Sequence, residues 1–147
     1  MSSKLQLKAT WTFAIGPVDA PHTVIRKENL IVNNGIDALF DSLFKTASRP
    51  AVFNYMGVGT GNTVPESTQA ALVTEAARVT TSYTHSGASR LGTIQGLFPA
   101  GVATGELKEA GLFNGSSGST MFNRVLIGPA TKGVDDPMTV TVEIEVL

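Results

Sequence analysis

Apolar and polar side chains alternate from Lys4 to Ile15. Leu5, Leu7, Ala9, Trp11, Phe13 and Ile15 share one face, and Lys4, Gln6, Lys8, Thr10 and Thr12 the other. Period two held over this length predicts a half-buried strand or an extended arm, which Gly16-Pro17 ends. The alternation returns at the far end of the chain, where Met138, Val140, Val142, Ile144 and Val146 interleave with Thr139, Thr141, Glu143 and Glu145. That strand has one core face and one wet or paired face. Between these two strands one segment takes the helical period. Ile36, Leu39, Phe40, Leu43 and Phe44 fall at i, i+3, i+4, i+7 and i+8, which predicts an amphipathic helix over 34–46. Its apolar face is expected to plug the sheet core, at ~1.5–3 kcal/mol per buried large side chain. Asn33 or Asn34 can cap it, Asp37 suits its first turn, Lys45 suits its last, and Pro50 forbids its continuation.

The remaining segments are short and punctuated. Val18 to Glu28 reads as a connector with an extended piece at Thr23–Arg26, and Asn54 to Val58 as a buried strand. Val64 to Val79 fits either a helical stripe (Leu72, Glu75, Ala76, Val79) or a long ordered loop with a helical turn. Arg78–Ser86 and Arg90–Phe98 read as strands around Ser86-Gly87-Ala88-Ser89. Glu109 to Arg124 reads as a hairpin. One strand ends at Leu112-Phe113, Asn114-Gly115-Ser116-Ser117-Gly118 turns, and a return strand runs from Thr120 to Ile127. If its arms pair symmetrically, the charges of Glu109 and Arg124 meet across the sheet. Gly128 to Pro137 reads as a polar loop. About eight short strands and one helix predict a mainly β fold, an antiparallel, jelly-roll-like β-sandwich. The expected organisation is an N-terminal strand or arm over 1–16 and a single sandwich domain over 17–147.

Composition narrows the partners. The 147 residues suit one domain with one core. Charged residues make up only 16% and the formal net charge is −1, so no basic field exists to hold nucleic acid. The absence of cysteine removes disulfides and thiolate metal sites. No run approaches the ~20 apolar residues of a membrane span, and the N-terminus lacks a signal-peptide pattern. Sparse charge beside 42% hydrophobic residues points to a surface partly covered by a partner.

Candidate chemistry is thin. Gly57-Val58-Gly59-Thr60-Gly61 suggests a dinucleotide fingerprint, but its third glycine comes one place early, Asn62-Thr63-Val64-Pro65 follows in place of a helix, and no Lys-Ser/Thr follows to make a phosphate loop. A structural turn is the default reading. Gly115-Ser116-Ser117-Gly118-Ser119 misses the spacing of a nucleophile elbow. His22 and His85 have no carboxylate at ligand spacing and read as surface residues. No catalytic, cofactor-binding or metal-ligating residue is assigned. The charges that stand out are Arg78, Glu109 and Arg124, each embedded in apolar sequence. They predict a structural ion pair with Arg124 or Arg78 as the partner of Glu109; solvated edge charges are the alternative.

Several of these stretches also carry a family resemblance. Tyr55-Met56-Gly57-Val58-Gly59-Thr60-Gly61, Leu72 with Glu75 and Arg78, Phe98-Pro99-Ala100-Gly101, Glu109-Ala110-Gly111-Leu112-Phe113-Asn114, Met121 to Arg124 and the terminal Thr-Val-Thr-Val resemble small structural proteins of tailed bacteriophages. The likeness spans roughly Asn29 to Val146 and leaves out the first strand. It implies a virion component without an active site or cofactor, assembled in the host cytoplasm. A capsid decoration (cement) protein is the first expectation, and a tail, baseplate or fibre-attachment subunit the alternative. The implied partners are the major capsid protein or other virion subunits and further copies of the chain, a trimer first, with no nucleic acid and no membrane. On this reading the N-terminal strand pairs with a neighbouring sheet edge through Leu7, Trp11 and Phe13, or else is an ordinary first strand of its own domain.

Overall fold

The computed structural model describes residues 6–147, so Lys4 and Leu5 of the predicted first strand lie outside the described residues. The elements are β1 (Leu7–Ile15), β2 (Thr23–Glu28), β3 (Leu30–Ile31), α1 (Asn33–Phe44), β4 (Tyr55–Gly59), β5 (Glu75–His85), β6 (Leu91–Phe98), β7 (Gly105–Phe113), β8 (Met121–Lys132) and β9 (Met138–Val146). Every strand pair is antiparallel, and the order β2-β1-β9-β6-β5-β4-β7-β8-β3 forms one nearly closed nine-stranded sheet. The fold is mainly antiparallel β with one short helix.

Two segments turn the corners. β5 pairs with β4 over Glu75–Thr80 and with β6 over Thr81–His85, so one strand passes from one half of the sheet to the other. Opposite it, β2 pairs with β1 while β3 pairs with β8, and Asn29 alone separates them. Asn29 also ties the seam with its side chain. Its Oδ1 accepts from Trp11 Nε1 at 2.7 Å and from Asn123 Nδ2 at 3.4 Å.

Inside, the alternating faces meet as the period-two pattern requires. Ala9, Trp11, Phe13 and Ile15 of β1 and Met138, Val140 and Val142 of β9 pack with Met56, Val58, Phe98, Leu107, Leu112, Val125 and Ile127. Trp11 and Phe13 stack with centroids 5.8 Å apart. This corrects one expectation. β1 runs in register between β2 and β9 of its own chain, from Leu7↔Val146 to Ile15↔Met138, and Trp11 and Phe13 are fully buried. They cannot anchor the strand in a neighbour, because removing them would open the chain's own core. Leu7 is half-buried at the outer end of the same strand. The segment 1–16 is therefore not an arm apart from the domain, at least over its described residues.

The helix forms where its period places it but docks the other way round. Its buried positions are Gly35 and Ala38, while Ile36, Phe40, Leu43 and Phe44 are exposed and Leu39 is half-buried. The strands already fill the core with their own large side chains, so no space remains for a plug. Instead α1 lies on the outer surface of β8, where Gly35 touches the backbone carbonyl of Phe122 so closely that a Cβ would collide with it. A contact that tight selects the small side of the helix. The capping expectation also fails. Val32 occupies the N-cap with no side-chain bond, neither Asp37 nor any other acid lies in the first turn, and Lys45 is the C-cap. Backbone bonds from outside serve the start of the helix, Val32 N to Phe122 O at 3.2 Å and Asn33 N to Ser67 O at 2.8 Å.

Since Trp11 belongs to the core, Trp11→Ala should cost ~3–5 kcal/mol in chemical denaturation. A loss below about 1 kcal/mol would show that the strand contributes little to its own domain.

Candidate functional site

The outer face of β4, β7 and β8 carries a second layer, and its centre is charged. Along β7 the inward residues are Leu107, Ala110 and Leu112, a spacing that breaks strict alternation. The break is a bulge: Leu107 pairs with Ala130 and Glu109 with Leu126, leaving Lys108 opposite Ile127, Gly128 and Pro129. The bulge turns Glu109 out of the core and under the loop of residues 60–74. Pro129 sits in it without a missing bond, since a bulge has no ladder partner to offer its nitrogen.

Glu109 is fully buried there, with both oxygens doubly occupied. Oε2 accepts from the backbone N–H of Gly61 at 2.7 Å and of Thr74 at 2.8 Å. Oε1 accepts from Val73 N at 2.7 Å and from Arg124 Nε at 3.2 Å. Arg124, also fully buried, donates through Nη1 to Thr63 O at 2.6 Å and to Gln69 Oε1 at 3.3 Å. Its Nη2 is buried without a hydrogen-bond partner. The two charges meet diagonally, not directly across: Arg124 stands opposite Gly111, and Glu109 opposite Leu126.

Arg78 joins a different pair. Its guanidinium forks onto Glu75, with Nε to Oε2 at 2.9 Å and Nη2 to Oε1 at 2.7 Å. Nη1 donates to the Gly115 and Gly118 carbonyls at 2.8 and 3.1 Å and to Ser119 Oγ at 3.2 Å. The cation lies 3.7 Å from the centroid of the Phe113 ring. Arg78 thus locks the β7–β8 turn onto β5 and is no partner of Glu109. Around these charges Val32, Leu72, Phe113 and Met121 form a small second apolar cluster, with Tyr55 against it.

The glycine run finds its use here. Gly57, Gly59 and Gly61 share the outer face of β4 and its continuation. A Cβ on Gly57 would lie 2.9 Å from Phe113 Cε2, one on Gly59 would strike Thr74 O, and one on Gly61 would strike Glu109 Oε2. The run admits a protein carboxylate and a neighbouring backbone, not a phosphate. Glycine at period two on a strand is the signal that could have revealed this close approach.

Sequence reasoning missed three features. Lys132, in the stretch read as loop, ends β8 with its side chain buried and Nζ donating to Pro99 O at 3.0 Å. Burial pushes its amine below the ordinary lysine value, with Asp136 pulling the other way. Asn123 is buried and accepts from Leu112 N at 3.0 Å beside the second irregularity of the hairpin. The fold also brings Asp136 to His22, with Oδ1 3.2 Å from Nε2, and His22 Nδ1 lies 2.9 Å from Thr23 Oγ1. This hydroxyl–imidazole–carboxylate chain sits on the exposed β1–β2 turn, beside the Gly16 N to Pro137 O bond at 2.9 Å. It latches two loops together and encloses no substrate. Asp136 is held below the usual carboxylate range, first by the Gly133 N–H and then by His22. Among the described residues no group of three His, Cys, Asp or Glu side chains comes together as a metal site. Comparison with known proteins finds no matching family, no similar curated protein and no similar solved structure.

Two predictions follow from these charges. Glu109→Gln or Arg124→Met strands a buried partner and should cost ~3–5 kcal/mol, against ~0–1 for an exposed pair, in urea melts at neutral pH. Gly61→Ala should weaken the same loop, because the methyl group displaces the carboxylate. The second concerns acid. A lowered carboxyl value adds stability that is complete above the ordinary 3.8 and fades as pH falls through the shifted value. Asp136→Asn should lower the neutral plateau slightly and remove this part of the decline in acid, so that the two stability profiles converge below the shifted value.

Proposed function

We propose that the protein is a non-enzymatic structural subunit of a tailed-phage virion, a decoration protein seated on the capsid surface. The observation that carries this reading is how its unusual polar residues are employed. The stretches resembling phage structural proteins, around Gly57–Gly61, Glu75 and Arg78, Glu109–Asn114 and Met121–Arg124, are the ones that hold the outer layer together. Both oxygens of Glu109 are taken by internal donors, and Arg124 and Arg78 are turned onto internal acceptors, a use suited to scaffolding and poorly suited to catalysis. A subunit also needs surface to give to neighbours, and the outward apolar side of α1 supplies it. On this reading the partners are the major capsid protein or other virion subunits together with further copies of the chain, and its place is the assembled particle.

The test is location. In particles of the encoding phage, separated into heads and tails, mass spectrometry should find the protein with the heads. Recovery with tails alone would replace the decoration role by a tail, baseplate or fibre-attachment role. Absence from particles would overturn the virion reading altogether.

A further inference from the structure

The inner face of the sheet runs on past the core at one end. β5 leaves β4 after Thr80 and continues beside β6 over Thr81–His85. On β6 the row Gly92, Ile94, Gly96 points inward, since a Cβ on Gly96 would meet Met56 of the core. Tyr83 and His85 stand directly opposite Ile94 and Gly92, and on β9 Val142 and Ile144 stand opposite the same two residues. Residues directly opposite share a side of the sheet, so Tyr83, His85 and Ile144 belong to the inner face as well. Val142 is fully buried there, whereas Tyr83 keeps 68% of its surface in water.

The overhang forms a cleft of about 290 Å³. Gly92, Ile94, Ile144 and Val146 floor it, Tyr83 and His85 line the β5 side, and Arg90 stands at the end where β6 begins. Its outline is fixed by hydrogen bonds. Val146 N donates to Arg90 O at 2.9 Å, and His85 Nε2 donates to Ser89 O at 2.8 Å. The missing side chain of Gly92 keeps the floor open. A Cβ there would lie 3.5 Å from Tyr83 Cε1, filling the space beside the ring without a collision. A dry cavity of ~150 Å³ already holds benzene, so this cleft can take one aromatic ring with a short polar tail.

Charge selects the occupant. No carboxylate lines the cleft, because Glu143 and Glu145 alternate with Ile144 and Val146 and take the other face of β9. Among the described residues Lys8, Lys45, Arg78 and Arg124 each pair with an acid, while Arg90 pairs with none. The Arg90 guanidinium makes one long hydrogen bond, from Nη1 to Val146 O at 3.5 Å. Its planar fork matches a carboxylate through two parallel bonds. An aromatic carboxylate satisfies both halves of the cleft, with its ring between Tyr83 and the aliphatic floor and its anion on Arg90. A sugar would set its hydroxyls against Ile94, Ile144 and Val146, and a cation would meet Arg90.

We propose that this cleft is a binding site for a small aromatic carboxylate, anchored by Arg90 and received in the gap that Gly92 leaves beside Tyr83. The site does not rest on the virion reading and would survive the failure of that reading.

Phenylacetate is the probe. In an amide NMR titration of the full chain, the Gly92 and Ile144 resonances should shift and saturate with a dissociation constant on the order of 1 mM, as suits a ligand of this size. Phenylacetamide keeps the ring and loses the charge, and acetate keeps the charge and loses the ring. Each should bind at least about 10-fold more weakly. Arg90→Gln should weaken phenylacetate by a similar factor with the melting temperature unchanged, since Arg90 is exposed. Gly92→Val fills the floor and should abolish the shifts. Valine suits a strand, and Arg90→Gln decides the matter even where the larger side chain disturbs the sheet. Gly92 and Ile144 resonances that stay still, shifts confined to α1, an amide that binds as tightly, or an Arg90→Gln chain that binds unchanged would each overturn the proposal.

Discussion

One buried carboxylate organises the outer half of this protein. Desolvating an ion in a protein interior costs several kcal/mol, so Glu109 is tolerable only because four donors converge on its two oxygens. Three of those donors are backbone N–H groups of the 60–74 loop. The anion therefore folds the loop as much as the loop shields the anion. Once laid down, the loop covers Phe113 and Met121 with Leu72 and offers Ser67 O to the first turn of α1. Arg124 completes the arrangement by holding Thr63 and Gln69 from the opposite strand. Loop, helix start and hairpin thus share a single charge, and removing it would free all three.

The main core obeys a simpler constraint. A sheet with alternating faces buries one face only if it curves back on itself, and here two chain segments make the curve. β5 changes partners midway, from β4 to β6, and the β2–Asn29–β3 segment does the same between β1 and β8. Asn29 closes the seam with a bond to Trp11, so the largest core side chain is also fixed by a polar contact at the rim. This explains why β1 is integral. One edge is taken by β9 along its whole length and the other by β2 over Thr10–Ile15.

α1 shows where hydrophobic periodicity has its limit. A strong apolar stripe states that a face should be dry, but not what will cover it. In this fold the strands fill the core first, and the helix meets β8 through Gly35 and Ala38, the only side small enough for the approach. The stripe is left outward, because the fold and not the period decides which side of a helix is covered.

The sequence by itself determined what depends on near neighbours in the chain. The alternating runs of β1 and β9, the Asn114–Gly118 turn, the helix over most of its span and the mainly antiparallel β class are all legible, because period and turn chemistry are local. The oddness of Glu109 and Arg124 was legible too, as charges set in apolar runs. Tertiary structure alone decided which way α1 faces, that β1 stays in its own sheet, that Glu75 and not Glu109 receives Arg78, and that Gly57, Gly59 and Gly61 make room for a carboxylate. Each of these turns on contacts between residues tens of positions apart, or on a bulge that reverses which face a side chain takes. Pattern along the chain carries the phase of a strand only until a single inserted residue shifts it.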